Sequence, residues 1–221
     1  LLGGFQRHKI PAYVSGLPED TLTKRCELAK SWQERGFDLL KFALPVADDG
    51  ALAEIKALRE TLGENARIAI DLHWSLTASE ALTLAEELAP FRIAVGEEWR
   101  TVYDARLRID REACHIVQPE MGHTGITQFK RIAEYANQHG LEIIPHATIG
   151  SGIFLAASLQ ASAALKGVTS HEFQHSIFGP FRHFTNDALN CDNGNFDLTQ
   201  TPGIGVEPSD AMLECMTLIP S

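Results

Sequence analysis

In Ala66-Arg67-Ile68-Ala69-Ile70-Asp71-Leu72-His73 a short apolar run breaks off at an acid, and an imidazole follows two residues later. The run is short and rich in isoleucine, and a helical pattern follows it, so a strand is predicted over 66–72. Residues two apart share one side of an extended segment, so Asp71 and His73 face the same way.

Working outward, the same unit recurs along the chain. Ile10 to Ser15 is a predicted strand that closes on Ser15, and Phe37 to Ala43 carries Lys41. Arg92 to Gly96 runs into Glu97, Cys114 to Gln118 leads to Glu120, Leu141 to Pro145 leads to His146, and Ser170 to Gln174 contains Glu172. Between them lie predicted helices over 21–35, 51–62, 75–88, 101–111, 127–139 and 153–165, several stopped by Gly36, Gly63 or Gly140. Strands recur roughly every 25 residues, the length of a βα unit. The expected class is therefore α/β, a βα barrel whose chemistry gathers where strands meet loops.

Seven such units can be read, one fewer than a standard barrel needs. At Pro90-Phe91-Arg92 a predicted helix meets a strand with almost no connection, although such loops normally take about 2–6 residues. A segment is expected to be missing there. The start, Leu1-Leu2-Gly3-Gly4, reads like the middle of a longer protein. Residues 1–178 are expected to form the barrel domain, and 179–221 a loop-rich segment completing the barrel or its cap.

Composition narrows the partners. A net charge of −10 offers no basic surface for nucleic acid or an anionic membrane, yet leaves room for a small anion met by a local lysine or a cation. Cys26, Cys114, Cys191 and Cys215 form no CxxC pair and suit reduced thiols in the cytoplasm. No apolar stretch approaches the roughly 20 residues of a membrane span.

Asp71 and Glu97 offer hard oxygen ligands from strand ends, as Mg²⁺ requires; taken singly, each reads more readily as a solvated or capping acid, and it is the aligned set that points to a metal. His146 and His73 are candidate proton carriers, since imidazole titrates near neutrality. His8, His139 and His183 look like surface residues. Lys41 ends an apolar strand, where an unpaired ammonium is costly. It faces either a substrate carboxylate or a neighbouring strand-end acid. The loop Gly122-His123-Thr124-Gly125-Ile126-Thr127 could present backbone N–H groups to an anion, although it matches no phosphate fingerprint.

Taken together, Gly36-Phe37 with Lys41, Ile70-Asp71-Leu72-His73, Val95-Gly96-Glu97, Gln118-Pro119-Glu120 with Gly125-Ile126-Thr127, and Ile144-Pro145-His146 resemble the barrel domain of the enolase superfamily, mandelate-racemase branch. The resemblance runs from the first glycines to Pro202-Gly203-Ile204-Gly205-Val206. It implies a modified TIM barrel of (β/α)₇β form, with one βα segment and the N-terminal capping domain absent from this chain. It also implies Mg²⁺ and removal of the proton α to a substrate carboxylate.

On that resemblance Asp71 and Glu97 match two metal ligands, and the third belongs to the missing strand. Lys41 matches the first of a lysine pair whose second position is Ala43, which argues against a two-base racemase. His146 becomes the base, with Glu120 where an Asp is usual. His73 resembles the acid of galactonate-type dehydratases, and Glu172 the acid near the substrate carboxylate. The expected function is Mg²⁺-dependent dehydration of a small anionic sugar acid by a homo-oligomeric cytoplasmic lyase. An epimerase or cycloisomerase using the same enolate, or a non-catalytic barrel, is the alternative.

Overall fold

A computed structural model describes residues 2–4, 6–43, 50–71, 83, 92–112, 114–147 and 150–217. Strands β1 (Lys9–Ser15), β2 (Leu39–Ala43) and β3 (Arg67–Asp71) alternate with helices α1 (Leu22–Glu34) and α2 (Ala51–Leu62). Thr21 caps α1, its hydroxyl accepting from the Lys24 amide. A second run follows: β4 (Ala94–Val95), α3 (Val102–Ile109), β5 (Ile116–Val117), α4 (Met121–Gln138), β6 (Glu142–Ile143), α5 (Gly152–Ala163) and β7 (His171–Phe173).

Pairing shows how these strands curve into a barrel. β1 lies parallel to β2 on one side and to β7 on the other, with Ser15 opposite Lys41 and Tyr13 opposite Glu172. β2 pairs with β3, and β4, β5 and β6 pair in sequence order. A bridge from Ile143 to Val168 joins β6 to the approach to β7. The parallel order is therefore 3-2-1-7-6-5-4. Among the described residues β3 and β4 are its two open ends, and 72–91, which separate them in sequence, lie outside the description apart from Thr83. The seven strands read from the sequence are all present. Of the expected helix 75–88 only Thr83 is among the described residues, and it is helical.

The chain beyond Phe178 is less loop-like than expected. Helix α6 (His175–His183) crosses residue 178, and β8 (Asn190–Asp192) with β9 (Asn195–Asp197) forms a hairpin that pairs antiparallel with the start of β1. Its turn needs glycine: Gly194 has φ +67°, and a Cβ there would meet the Gly36 carbonyl oxygen at 2.0 Å. A last helix, α7, spans Asp210–Cys215. Asn, Asp and Gly, read as loop formers, here build the hairpin turn.

Two apolar layers support the site. Outside the strands, Leu40, Phe42, Leu58, Leu159 and Phe173 belong to one cluster that also draws on α1, α2 and α5. Inside the barrel, Tyr13, Leu39, Ile116 and Ile144 pack with Ala69 and Ala94. Five of these stand two residues before Ser15, Lys41, Asp71, Gln118 and His146. The alternation that makes an apolar floor thus lifts the polar groups directly above it.

Candidate active site

The strand ends meet around a cavity of about 580 Å³ lined by Ser15, Lys41, Asp71, Glu97, Glu120 and His146, together with Glu98, His123 and Gln174. Lys41 Nζ lies 3.2 Å from Asp71 Oδ2 and 3.6 Å from Glu172 Oε1. Burial alone would push the Lys41 ammonium towards neutrality, but the fields of Glu172, Asp71 and Glu97 outweigh it and raise its pKa. Lys41 therefore stays charged. The ion pair with strand-end acids, one of the two readings of Lys41 from sequence, is present.

Glu172 is only 1% exposed. Burial would raise its pKa, yet Lys41, His146, the Ser15 hydroxyl and the Ala147 amide together bring it down to about 2. The Ala147 amide donates to Glu172 Oε2 at 2.7 Å. This carboxylate is ionised throughout the useful pH range.

His146 sits at the centre. Its Nδ1 is 2.6 Å from Glu120 Oε2, while Nε2 is 3.3 Å from Glu97 Oε2 and 3.6 Å from Glu172 Oε2. Burial disfavours the imidazolium, but the Glu120 hydrogen bond and the Glu172 and Glu97 charges prevail over it and over Lys41, so the pKa is raised. The sequence pairs His146 with Glu120 in spite of the extra methylene, and the longer arm does reach. The reach is set by backbone: Glu120 and His146 form a parallel bridge, and Glu120 Oε1 accepts from the Gly122 amide at 3.1 Å. A Cβ on Gly122 would lie 3.0 Å from that oxygen, so a larger residue would press on the carboxylate.

That contact corrects the reading of 122–127 as an anion-binding loop. Met121 to Thr127 belongs to α4, with a kink at Gly125, and the Gly122 amide is spent on Glu120. Asp71, Glu97, Glu120, His146, Lys41 and Glu172 are brought together. His73 lies outside the described residues. His8, His139 and His183 are exposed, as expected.

Sequence reasoning missed His123 and Tyr13. His123 lines the cavity, with Nδ1 2.9 Å from the Glu97 carbonyl oxygen. Tyr13 is fully buried beneath the cluster and accepts a hydrogen bond from Gln118 Nε2 at 3.3 Å. Its place two residues before Ser15 was a signal available in the alternation.

Among the described residues, Asp71, Glu97, Glu120 and Glu172 surround the Lys41 ammonium and the His146 imidazole. That excess of hard oxygen donors suits a divalent cation. Among the described residues no group of three His, Cys, Asp or Glu side chains is arranged to hold one. Asp71 and Glu97 provide two of the donors, so the donor chemistry fits while the set is incomplete.

The βα barrel thus gathers acids, a lysine and a carboxylate-backed histidine at its strand ends. The chain belongs to the family described as enolase C-terminal domain-like, whose model matches residues 24–93 and 89–212. The two matched segments meet at 89–93, where a missing segment was expected. Among curated relatives, D-galactarolactone cycloisomerase of Agrobacterium fabrum is 28% identical over 257 residues, covering 97% of this chain and 67% of its own length. D-xylonate dehydratase of Haloferax volcanii is 23% identical over 252 residues, covering 93% and 61%. Both spans exceed the 221 residues here, so these relatives carry extra residues inside the matched region. A Sinorhizobium meliloti crystal structure, provisionally named an isomerase, is 52% identical with a TM-score of 0.91, covering 96% of this chain and 63% of that one. The chain thus spans about two thirds or less of the proteins it matches. No helix among the described residues is long and apolar enough to cross a membrane.

Proposed function

We propose that this barrel belongs to a Mg²⁺-dependent lyase that dehydrates a small sugar acid, an aldonate or aldarate, to a 2-keto-3-deoxy acid. The observation that carries the reading is the 2.6 Å contact between His146 Nδ1 and Glu120, in one cavity with Lys41, Asp71, Glu97 and Glu98. Glu120 fixes the imidazole so that Nε2 faces the cavity and can take the α-proton. Lys41 meets the substrate carboxylate, whose charge grows as the α-carbon loses its proton, and Glu172 holds the ammonium in place. The electron pair of the broken C–H bond forms the C2–C3 double bond, and the β C–O bond breaks. The hydroxyl leaves as water with a proton from His73, and the enol tautomerises to the keto acid.

Mg²⁺, held by Asp71, Glu97 and a ligand beyond the described residues, would supply positive charge to the enediolate oxygens. The dehydratase names among the relatives support the substrate class. Assembly as a homo-oligomer and a cytoplasmic location belong to the same reading.

A cycloisomerase or epimerase is the second reading, favoured by the names of the 28% and 52% identical relatives. The test incubates the full-length protein with Mg²⁺ and a panel of aldonates, aldarates and their lactones in D₂O. Loss of water with formation of a 2-keto-3-deoxy acid is expected. Isomerised product, or deuterium entering at the α-carbon with no loss of water, selects the second reading. Folded protein with neither turnover nor exchange overturns both.

A further inference from the structure

One buried group beneath the site has no part in the steps above. Tyr13 is fully buried in the floor cluster, whose other members, Leu39, Ile116, Ile144, Ala69 and Ala94, are aliphatic. A phenol in an aliphatic layer needs a reason, because an apolar residue of similar size would pack there without a polar atom to satisfy.

Its surroundings give that reason. The Lys41 ammonium lies 5.8 Å from the Tyr13 ring centroid, within reach of a cation–π attraction. The hydroxyl accepts from Gln118, itself buried at the end of β5. Tyr13 stands opposite Glu172 in the β1–β7 register, and Ser15 stands opposite Lys41 in the β1–β2 register. One strand therefore sets both partners of the Lys41–Glu172 pair. Burial first, then the fields of Glu172, Glu97 and Asp71, keep the phenol protonated far above its ordinary range. It is thus a fixed neutral dipole under a charged cluster.

We propose that Tyr13 is a positioning residue for Lys41: its ring supports the ammonium from below, and its hydroxyl, tied to Gln118, holds that ring under the gap between Asp71 and Glu172. The inference rests on the reading that Lys41 receives the substrate carboxylate. Tyr13 touches no reacting atom. It keeps the cation aimed, so that the growing negative charge of the enediolate meets an ammonium already in place.

Two variants of the full-length protein test it. Tyr13→Phe removes only the hydroxyl and leaves the ring; Tyr13→Leu removes both. The first readout is the ¹⁵Nζ ammonium resonance of Lys41, assigned by its loss in Lys41→Met and recorded without substrate. Tyr13→Phe should move this resonance, and Tyr13→Leu should move it further. The second readout is steady-state kinetics with the sugar acid turned over by the wild type. Tyr13→Phe should lower kcat about 10-fold with little change in KM, because positioned charge matters most in the transition state.

A Lys41 resonance unmoved in Tyr13→Phe, in protein that folds, overturns the proposal, as does an unchanged kcat. If Tyr13→Leu fails to fold, Tyr13→Phe alone decides. Since the resonance needs no turnover, a protein inactive on every sugar acid still tests Tyr13, and the failure of the dehydratase reading stays distinguishable.

Discussion

The two ends of the barrel are built from the same strands and balance charge in opposite ways. At the C-terminal end, Asp71, Glu97, Glu120 and Glu172 crowd around one lysine and one histidine. At the N-terminal end one cluster centres on Glu142, which accepts from Arg67 at 2.5 Å, from Arg92 and from the Thr169 hydroxyl. Glu142 opens β6, while Arg67 opens β3 and Arg92 precedes β4, so this acid ties together the two strands left without mutual pairing among the described residues. Within that cluster two arginines meet one acid, whereas acids outnumber cations in the cluster above. The lower cluster is complete in itself and serves cohesion. The upper one has charge left over for what enters the cavity.

The sharpest way to break this contrast is to disarm the upper end. Glu120→Gln keeps the shape but offers His146 a neutral amide, which can no longer stabilise the imidazolium formed when the proton is taken. Loss of an oriented base is worth roughly 10²- to 10⁴-fold in rate. We expect kcat of the full-length enzyme to fall within that range, with α-deuterium exchange falling in parallel and KM nearly unchanged. A variant that keeps full exchange would remove Glu120 from the mechanism. Thermal stability should barely change, because the upper end is not where cohesion is stored.

That asymmetry also explains what was legible from sequence. The strand-to-loop positions of Lys41, Asp71, Glu97, Glu120, His146 and Glu172 could be read because an apolar run ending in one polar residue is a local signal. Their convergence follows from the repeat of the unit. The Arg67–Glu142–Arg92 cluster could not be read, since an arginine at a strand start looks like any surface residue until distant strands are brought together. Tyr13 was hidden for another reason: a buried tyrosine reads as core. Glycine and asparagine after Phe178 suggested loops, because turn residues mark a hairpin only when the pairing strand, here β1, is known. Ala51–Leu62 was read to the residue, having a glycine at each end and strong periodicity between.

A third location tests the contrast from the side. His171 neighbours Glu172 on β7 but faces α5, where Nε2 lies 2.8 Å from the Ser158 hydroxyl. Burial, more than the opposing pull of Glu172, lowers its pKa from 6.5 to about 4. The neutral imidazole is thus favoured in the folded state, and the unfolded chain binds the extra proton between those values. Its stabilising effect is intact above about pH 6.5 and is lost as pH falls towards 4, by at most about 3 kcal/mol. Urea midpoints measured from pH 7 to 4 should fall accordingly, and His171→Asn should flatten that limb. An unchanged limb would show that the buried histidine is not the group responsible.

The smallest expected effect lies at the lower end. Glu142→Gln leaves Arg67 and Arg92, with side chains 38% and 51% exposed, free to be hydrated, so the loss is screened. About 1–2 kcal/mol of unfolding free energy is expected, above the value of an ordinary surface pair because Glu142 itself is only 9% exposed and accepts from three groups. The pH window separates this from His171. Burial would raise the Glu142 pKa, but Thr169, Arg67 and Arg92 more than offset it and lower it. Its contribution is therefore complete above the ordinary carboxylate range and fades only as pH falls through the lowered value. Denaturation of the variant and the wild type should differ at pH 7 and converge in stronger acid than the His171 limb, and the pH 7 difference should shrink in about 1 M salt. Equal stability at pH 7 and low salt would mean that the two strand edges are held together by something other than this acid.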